Sequence, residues 1–250
     1  MADIRPHDAF EALVLDGTAR VFILTGAGIS AESGLPTFRD ANGLWEKHRV
    51  EDVASPEGWR ADPALVWRFY SQRRQQAAPV RPNAAHHALA NLEARLGDRL
   101  FLCTQNVDPL HERAGSKRVV HMHGELMKSR CEANHGRGRE HAEPFADENT
   151  YLDGNALPRC ACGGKLRPHI CWFGEIPFFM DEIQDALLRA NVFVTIGSSG
   201  AVYPAAGFVR AARQQGARCI YVGPEAPDNA SAFDECRLGT ATRAVPSLFG

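Results

Sequence analysis

The sequence has no long apolar run: its longest stretches, such as the one around Asn191–Ile196, fall far short of the roughly 20 residues that span a bilayer. The first residues, MADIRPHDAFEALVL, carry acids and lack the basic-then-apolar pattern of a secretory leader, so the expected location is the cytoplasm. Neither sign of charge is in excess. Lys and Arg number 28 against 30 Asp and Glu, a net charge of −2, which gives no electrostatic case for direct nucleic-acid or anionic-membrane binding. The H-E-x-x-H motif of zinc hydrolases is absent, and there is no internal repeat. The cysteines do not form an even set: seven, unevenly spread, suggest thiols and a metal in a reducing compartment, not a disulfide framework.

What is present is ordinary globular material, 250 residues with 44 % hydrophobic and 23 % charged, enough for one large domain or a domain with a smaller insert. The chain is organised around VFILTGAGISAESGLPTFRD, residues 21–40. Val21–Thr25 reads as a buried strand. Gly26-Ala27-Gly28 permits a sharp turn and close approach of a ligand, and Ile29–Ser33 can open a helix whose N–H groups suit a phosphate. The spacing is not G-x-G-x-x-G, so this motif alone also fits a tight turn in any α/β protein. Further strands are expected at Arg99–Thr104, Val119–Gly124, Asn191–Ile196 and Ala217–Val222, and helices at Pro6–Asp16, Asp62–Ala78, Ala84–Leu96, Met180–Ala190 and Val202–Gln215. Strands alternating with helices argue a parallel α/β sheet, in which ligands meet the C-terminal ends of the strands. Gln105, Asn106 and Asp108 fall at one such end, Gly197, Ser198 and Ser199 at another, and Gly223 and Glu225 at a third.

Three further patterns carry chemistry. His121 and His123 alternate along a strand and fit either an H-x-H metal pair or a single general base. Between Cys131 and Pro168 lies a polar stretch poor in periodicity. A loop of that length needs a staple, and Cys131 with Cys160-Ala161-Cys162 can hold a tetrahedral Zn²⁺. The fourth ligand is then His135 or another non-cysteine group; the alternative is a module without zinc. Tyr70 and Arg73 stand three apart on one helix face, where a guanidinium fork and a phenol can grip a carboxylate together. The same residues also read as a core aromatic and a solvated arginine.

The stretch Gly26–Ser30 followed by Glu32–Asp40 closely resembles the nucleotide-binding signature of the sirtuins, NAD-consuming protein-lysine deacylases. Gln105-Asn106-Val107-Asp108, His123-Gly124, the cysteine segment, His169–Glu175 and Gly197-Ser198-Ser199 continue the resemblance in order, from Leu15 to about Phe249. It implies a Rossmann-like parallel sheet domain (about 1–47, 81–123 and 169–250) with a smaller zinc-binding and helical module (about 48–80 and 124–168). It also implies NAD as co-substrate, held by Gly26, Ala27, Gly28, Ser30, Phe38, Arg39, Gln105, Asn106, Asp108, Gly197, Ser198 and Ser199. Sirtuins typically place Asn where this chain has Gly223, so Gly223 backbone or Glu225 is expected at the adenosine ribose, with Ala241 on the adenine side. The resemblance makes His123 the catalytic base and His121 a strand histidine with a structural hydrogen bond. It makes Cys131, Cys160 and Cys162 structural zinc ligands, and it places His169–Glu175 as the strand that receives an acylated protein substrate, with Trp172 and Phe173 walling the lysine tunnel. Ala54, Tyr70 and Arg73 resemble the residues of sirtuins, including a bacterial subgroup, that prefer succinyl- and malonyl-lysine over acetyl-lysine. The products implied are nicotinamide, free lysine and 2′-O-acyl-ADP-ribose. The rivals are an acetyl-only enzyme, a nicotinamide-dependent oxidoreductase, and a non-catalytic reader of ADP-ribose or acyl-lysine.

Overall fold

The structure is a computed structural model that describes residues 2–36, 48–133, 143–153 and 157–250. Its centre is strand β2 (Val21–Thr25), all five residues of which are buried. An apolar run of this kind suits a strand covered on both faces. Parallel neighbours flank it: β3 (Leu100–Thr104) pairs Leu102 with Ile23, and β8 (Val192–Ile196) pairs Val194 with the same residue. With β1 (Asp3–Pro6), β4 (Val119–His121), β9 (Arg218–Gly223) and β10 (Glu235–Leu238) they form a seven-stranded sheet in the order β1-β10-β9-β8-β2-β3-β4. The chain runs outward from β2 through β3 to β4, then returns to β8 and runs outward the other way. The strand order therefore reverses between β2 and β8, the position where open α/β sheets bind ligands.

Both faces of the sheet are covered. On one, Ile23, Leu102, Val194 and Val222 pack against Leu89 and Leu92 of α5 (Ala84–Leu96) and Val245 and Leu248 of α9 (Ala241–Phe249). On the other, Phe22, Leu24, Phe193 and Tyr221 meet Ile183 and Leu187 of α7 (Met180–Arg189) and Phe208 of α8 (Phe208–Gln214). Phe22 and Phe193 stack with ring centroids 5.4 Å apart.

A second, antiparallel sheet, in the order β6-β5-β7, is built from β5 (Gly124–Cys131), β6 (Phe145–Ala146) and β7 (Leu166–Ile170). It shares a third apolar cluster with α2 (Val50–Val53), α3 (Pro56–Ala61) and α4 (Pro63–Ala77). Helix α4 starts where the Asp62 side chain accepts the Leu65 N–H at 2.8 Å. It is anchored by Arg74, buried beside Asp147, with its guanidinium donating to the carbonyls of Leu126, Asn149 and Lys128.

Four expectations need correction. Residues 6–16 are not a helix: β1 ends at Pro6, a short 3-10 turn covers His7–Ala9, and the rest is irregular. Phe10 packs against the guanidiniums of Arg5 and Arg237, 4.4 and 4.9 Å from its ring centroid, and the Leu13 N–H goes to Leu248 O instead of a helical turn. The helix expected over 202–215 shortens to a 3-10 turn, Ala205–Gly207, and α8. Of the strand expected at His169–Glu175, only His169 and Ile170 lie in a strand, β7, and Cys171–Glu175 is an irregular turn. Val119–Gly124 is not one strand either, since β4 stops at His121 and Met122-His123 turn into β5.

Candidate active site

At the switch point the loops after β2 and β8 lie in direct contact. A Cβ on Gly26 would sit 2.8 Å from Gly197 O, and one on Gly28 2.8 Å from Gly197 Cα. Gly197 has φ +63°, and a Cβ there would come within 2.6 Å of Ile29 N. These glycines therefore serve the packing of two loops against each other, a reason distinct from the ligand approach that the sequence suggests. The helix after the turn, α1 (Gly28–Ala31), has only four residues. Its Gly28, Ile29 and Ser30 amides are taken by the carbonyls of Gly197, Gly26 and Ala27, so an anion would meet fewer open N–H groups than a long helix offers; among the described residues the Ala27 amide has no partner.

The side chains from β3 and α1 form one buried network. Asn106 Nδ2 donates to Gly26 O and Ser30 Oγ, both at 3.2 Å. Ser30 Oγ donates to Asp108 Oδ2 at 3.1 Å, and the Leu110 N–H fixes the other oxygen. Gln105 Nε2 reaches across to Ser198 Oγ at 2.9 Å, while the Asp228 N–H donates to Ser199 O. Burial pushes the Asp108 carboxyl up, although the Leu110 and Ser30 bonds work against the rise. On the far side of β8, Gly239 N donates to Gly223 O, which brings the end of β9 next to Ala241, the first residue of α9. Glu225 is exposed and hydrogen-bonds to none of these loops among the described residues.

The two histidines separate cleanly. Both nitrogens of buried His121 face acceptors, Asn106 O at 3.0 Å and the Glu112 carboxylate at 2.7 Å, so the ring donates twice. Burial disfavours its charge, but the Glu112 hydrogen bond and charge outweigh this and raise its pKa. His121 is thus committed, and the H-x-H metal pair falls away. His123 is half-buried and, among the described residues, has one hydrogen-bond partner, Gln105 O, 3.1 Å from Nδ1. That bond places the proton on Nδ1 and leaves the Nε2 lone pair open. Burial lowers the His123 pKa, so the ring is neutral at pH 7.

The expected acyl-lysine residues also converge. Trp172 Nε1 donates to Tyr70 Oη at 3.1 Å, and Phe173 N donates to Ala54 O at 3.0 Å. Tyr70 is fully buried, and burial pushes its phenol up, so it stays protonated. Arg73 is half-buried, one turn from Tyr70, with Cζ 5.9 Å from the Phe69 ring centroid. The three cysteines bring their Sγ atoms within 4.8 Å of one another. Phe38, Arg39 and His135 lie outside the described residues.

A model of the Sir2 family matches residues 26–204. The chain belongs to the Sir2 family. It is 52 % identical over 235 residues to a Caulobacter vibrioides protein named NAD-dependent protein deacylase, covering 92 % of this chain and 95 % of that one. A Yersinia pestis protein of the same name is 54 % identical over 228 residues, covering 90 % and 80 %. A Sir2 homolog solved as its NAD complex superposes with a TM-score of 0.80 at 36 % identity, covering 95 % of this chain and 93 % of that one.

In this Sir2 chain the sulfur cluster suits a structural Zn²⁺. Cys131 and Cys162 Sγ are 3.6 Å apart, far beyond a disulfide and close to the ~3.8 Å that two tetrahedral Zn–S bonds imply. A side chain at Gly164 would come within 2.9 Å of Cys131 Sγ, so glycine there keeps the sulfur cluster open. Such an ion would tie the end of β5 to the turn before β7. Sequence reasoning missed the groups that set the Trp172 turn. Glu175 accepts both the Trp172 N–H and a bidentate Arg167, whose guanidinium lies 3.4 Å over the Trp172 ring. It also missed Glu112, which charges His121, although Glu112 lies only nine residues away on α6 (Leu110–Ala114).

Proposed function

We propose that this chain removes acyl groups from protein lysines with consumption of NAD, and that its range takes in succinyl and malonyl as well as acetyl groups. The observation that carries the first part is His123, a neutral imidazole with one nitrogen fixed on Gln105 O and the other open. It stands beside a network of Asn106, Asp108 and Ser30 at the switch point of a Sir2 chain. NAD supplies an electrophilic ribose carbon with nicotinamide as leaving group. Gln105, Asn106 and Asp108 line that ribose. The acyl oxygen would bond to that ribose carbon as nicotinamide leaves, His123 Nε2 would take the proton of a neighbouring ribose hydroxyl so that its oxygen adds to the acyl carbon, and one water would complete the release of free lysine and the O-acyl sugar. The apolar wall of Trp172 and Phe173 keeps bulk water from the acyl group. The substrate backbone lies beside β7 in the cleft between the large sheet and the smaller sheet with its helices. This reading makes Cys131, Cys160 and Cys162 structural ligands with no part in the chemistry.

The wider acyl range rests on Tyr70 and Arg73. The Arg73 charge acts on Tyr70, and Trp172 Nε1 donates to the Tyr70 oxygen and orients the phenol. A dicarboxylic acyl chain that passes Ala54 would place its carboxylate between the two. Mass spectrometry of acetyl-, succinyl- and malonyl-lysine peptides, with and without NAD, tests this. NAD-dependent loss of all three is expected, with Arg73→Met cutting succinyl and malonyl turnover at least 10-fold, roughly the worth of one charge-assisted hydrogen bond, and sparing acetyl turnover. Acetyl loss alone would return Tyr70 and Arg73 to structural roles.

A further inference from the structure

Tyr221 is one residue of the buried β9 that neither the fold nor the mechanism above requires to be a tyrosine. Its ring is 3 % exposed and packs edge-on against Phe233 at 5.7 Å. The hydroxyl runs along the strand to its C-terminal end. A Cβ built on Gly223 would lie 2.2 Å from Tyr221 Oη, so the hydroxyl occupies the space that a side chain at 223 would fill. Among the described residues Tyr221 Oη makes no hydrogen bond. Burial pushes the phenol up to about 12, so it stays protonated and can both donate and accept. Such a group at a strand end, next to the loop whose Gly197 N donates to Val222 O, is set to meet a ligand.

We propose that the Tyr221 hydroxyl binds a hydroxyl of the adenosine ribose of the dinucleotide, taking the place of a side chain at position 223. The inference rests on the NAD reading above. That reading puts the nicotinamide ribose at Gln105 and His123, beside β3 and β4. The adenosine half then falls on the other side of the glycine loops, where β9 lies three strand spacings, roughly 14 Å, from β3. A phenol that donates and accepts suits a ribose diol, and the negative charge of the Glu225 carboxylate, which acts on Tyr221, disfavours a 2′-phosphate there.

Calorimetric titration with ADP-ribose and with its adenosine 2′-deoxy and 3′-deoxy forms tests the proposal. The parent protein should bind one deoxy form roughly 3- to 10-fold more weakly than ADP-ribose. Tyr221→Phe should bind ADP-ribose more weakly by the same factor and no longer discriminate. It should raise KM for NAD at unchanged kcat. Gly223→Ala, whose methyl would displace the hydroxyl, should behave alike. A Tyr221→Phe protein that binds ADP-ribose as tightly as the parent would overturn the proposal, as would a parent that treats all three ligands alike. In either case nucleotide binding itself would stand. A parent that binds neither ADP-ribose nor NAD would overturn the NAD reading and this inference together.

Discussion

His121 and His123 stand two residues apart and are opposite in chemistry, and the difference lies in their partners. A carboxylate on Nε2 favours the imidazolium in the first; the second has, among the described residues, only a backbone carbonyl on Nδ1 and stays a neutral imidazole. A base must be unprotonated to act, so the acid limb of the pH profile of kcat/KM reports its pKa in the free enzyme. Burial holds the His123 pKa below the ordinary 6.5, and the Gln105 bond offsets this only in part. The acid limb should therefore be centred below pH 6.5, with activity flat from pH 7 to 8. A limb centred above pH 7 would mean that His123 is not the titrating base.

Element by element, contacts between distant parts of the chain hold the nucleotide side together. The N-cap of helix α9, Thr240, makes no capping bond with its side chain; Glu32, just past α1, takes the Thr242 N–H at 3.0 Å and the Thr242 hydroxyl at 2.8 Å. Replacing Glu32 by Ala should cost about 0.5–2 kcal/mol, the usual worth of an N-cap, read as a lower urea midpoint at unchanged slope. Although burial opposes it, bonding to Thr242 lowers the Glu32 pKa. The stabilisation is therefore present above the ordinary carboxylate range and is lost as pH falls through the lowered value. An equal midpoint for parent and Glu32→Ala at pH 7 would contradict this. This cap was not legible in the sequence, because nothing local to Thr240 signals it. The strands β2, β3, β8 and β9 were legible because each is an apolar run buried on both faces, and their ends located the site. Strand β1 was not, since Asp3–Pro6 is exposed throughout and exists as a strand through pairing with β10. Arg73 and Arg74 look alike in sequence. Only the folded chain shows that Arg74 is the one buried on Asp147, while Arg73 is half-buried by the Phe69 ring.

At the scale of the molecule, the reversal of strand order between β2 and β8 brings four chain segments to one crevice: residues 26–30, 105–108, 123 and 197–199. The small sheet and α4 set Tyr70 and Trp172 beside it. No helix among the described residues is long and apolar enough to cross a membrane. The fold class followed from the order of strands and helices, and the proposal of His123 from motif order. The Glu112, Arg167 and Glu175 contacts that fix His121 and Trp172 depend on tertiary packing, which periodicity does not report. The measurement that tests the account most directly is NAD-dependent release of lysine from an acyl-lysine peptide by His123→Ala, run beside its thermal unfolding. The account predicts an unfolding midpoint like that of the parent and a rate lower by about 10²- to 10⁴-fold, the usual worth of a general base. A folded His123→Ala protein that turns over at the parent rate would contradict it.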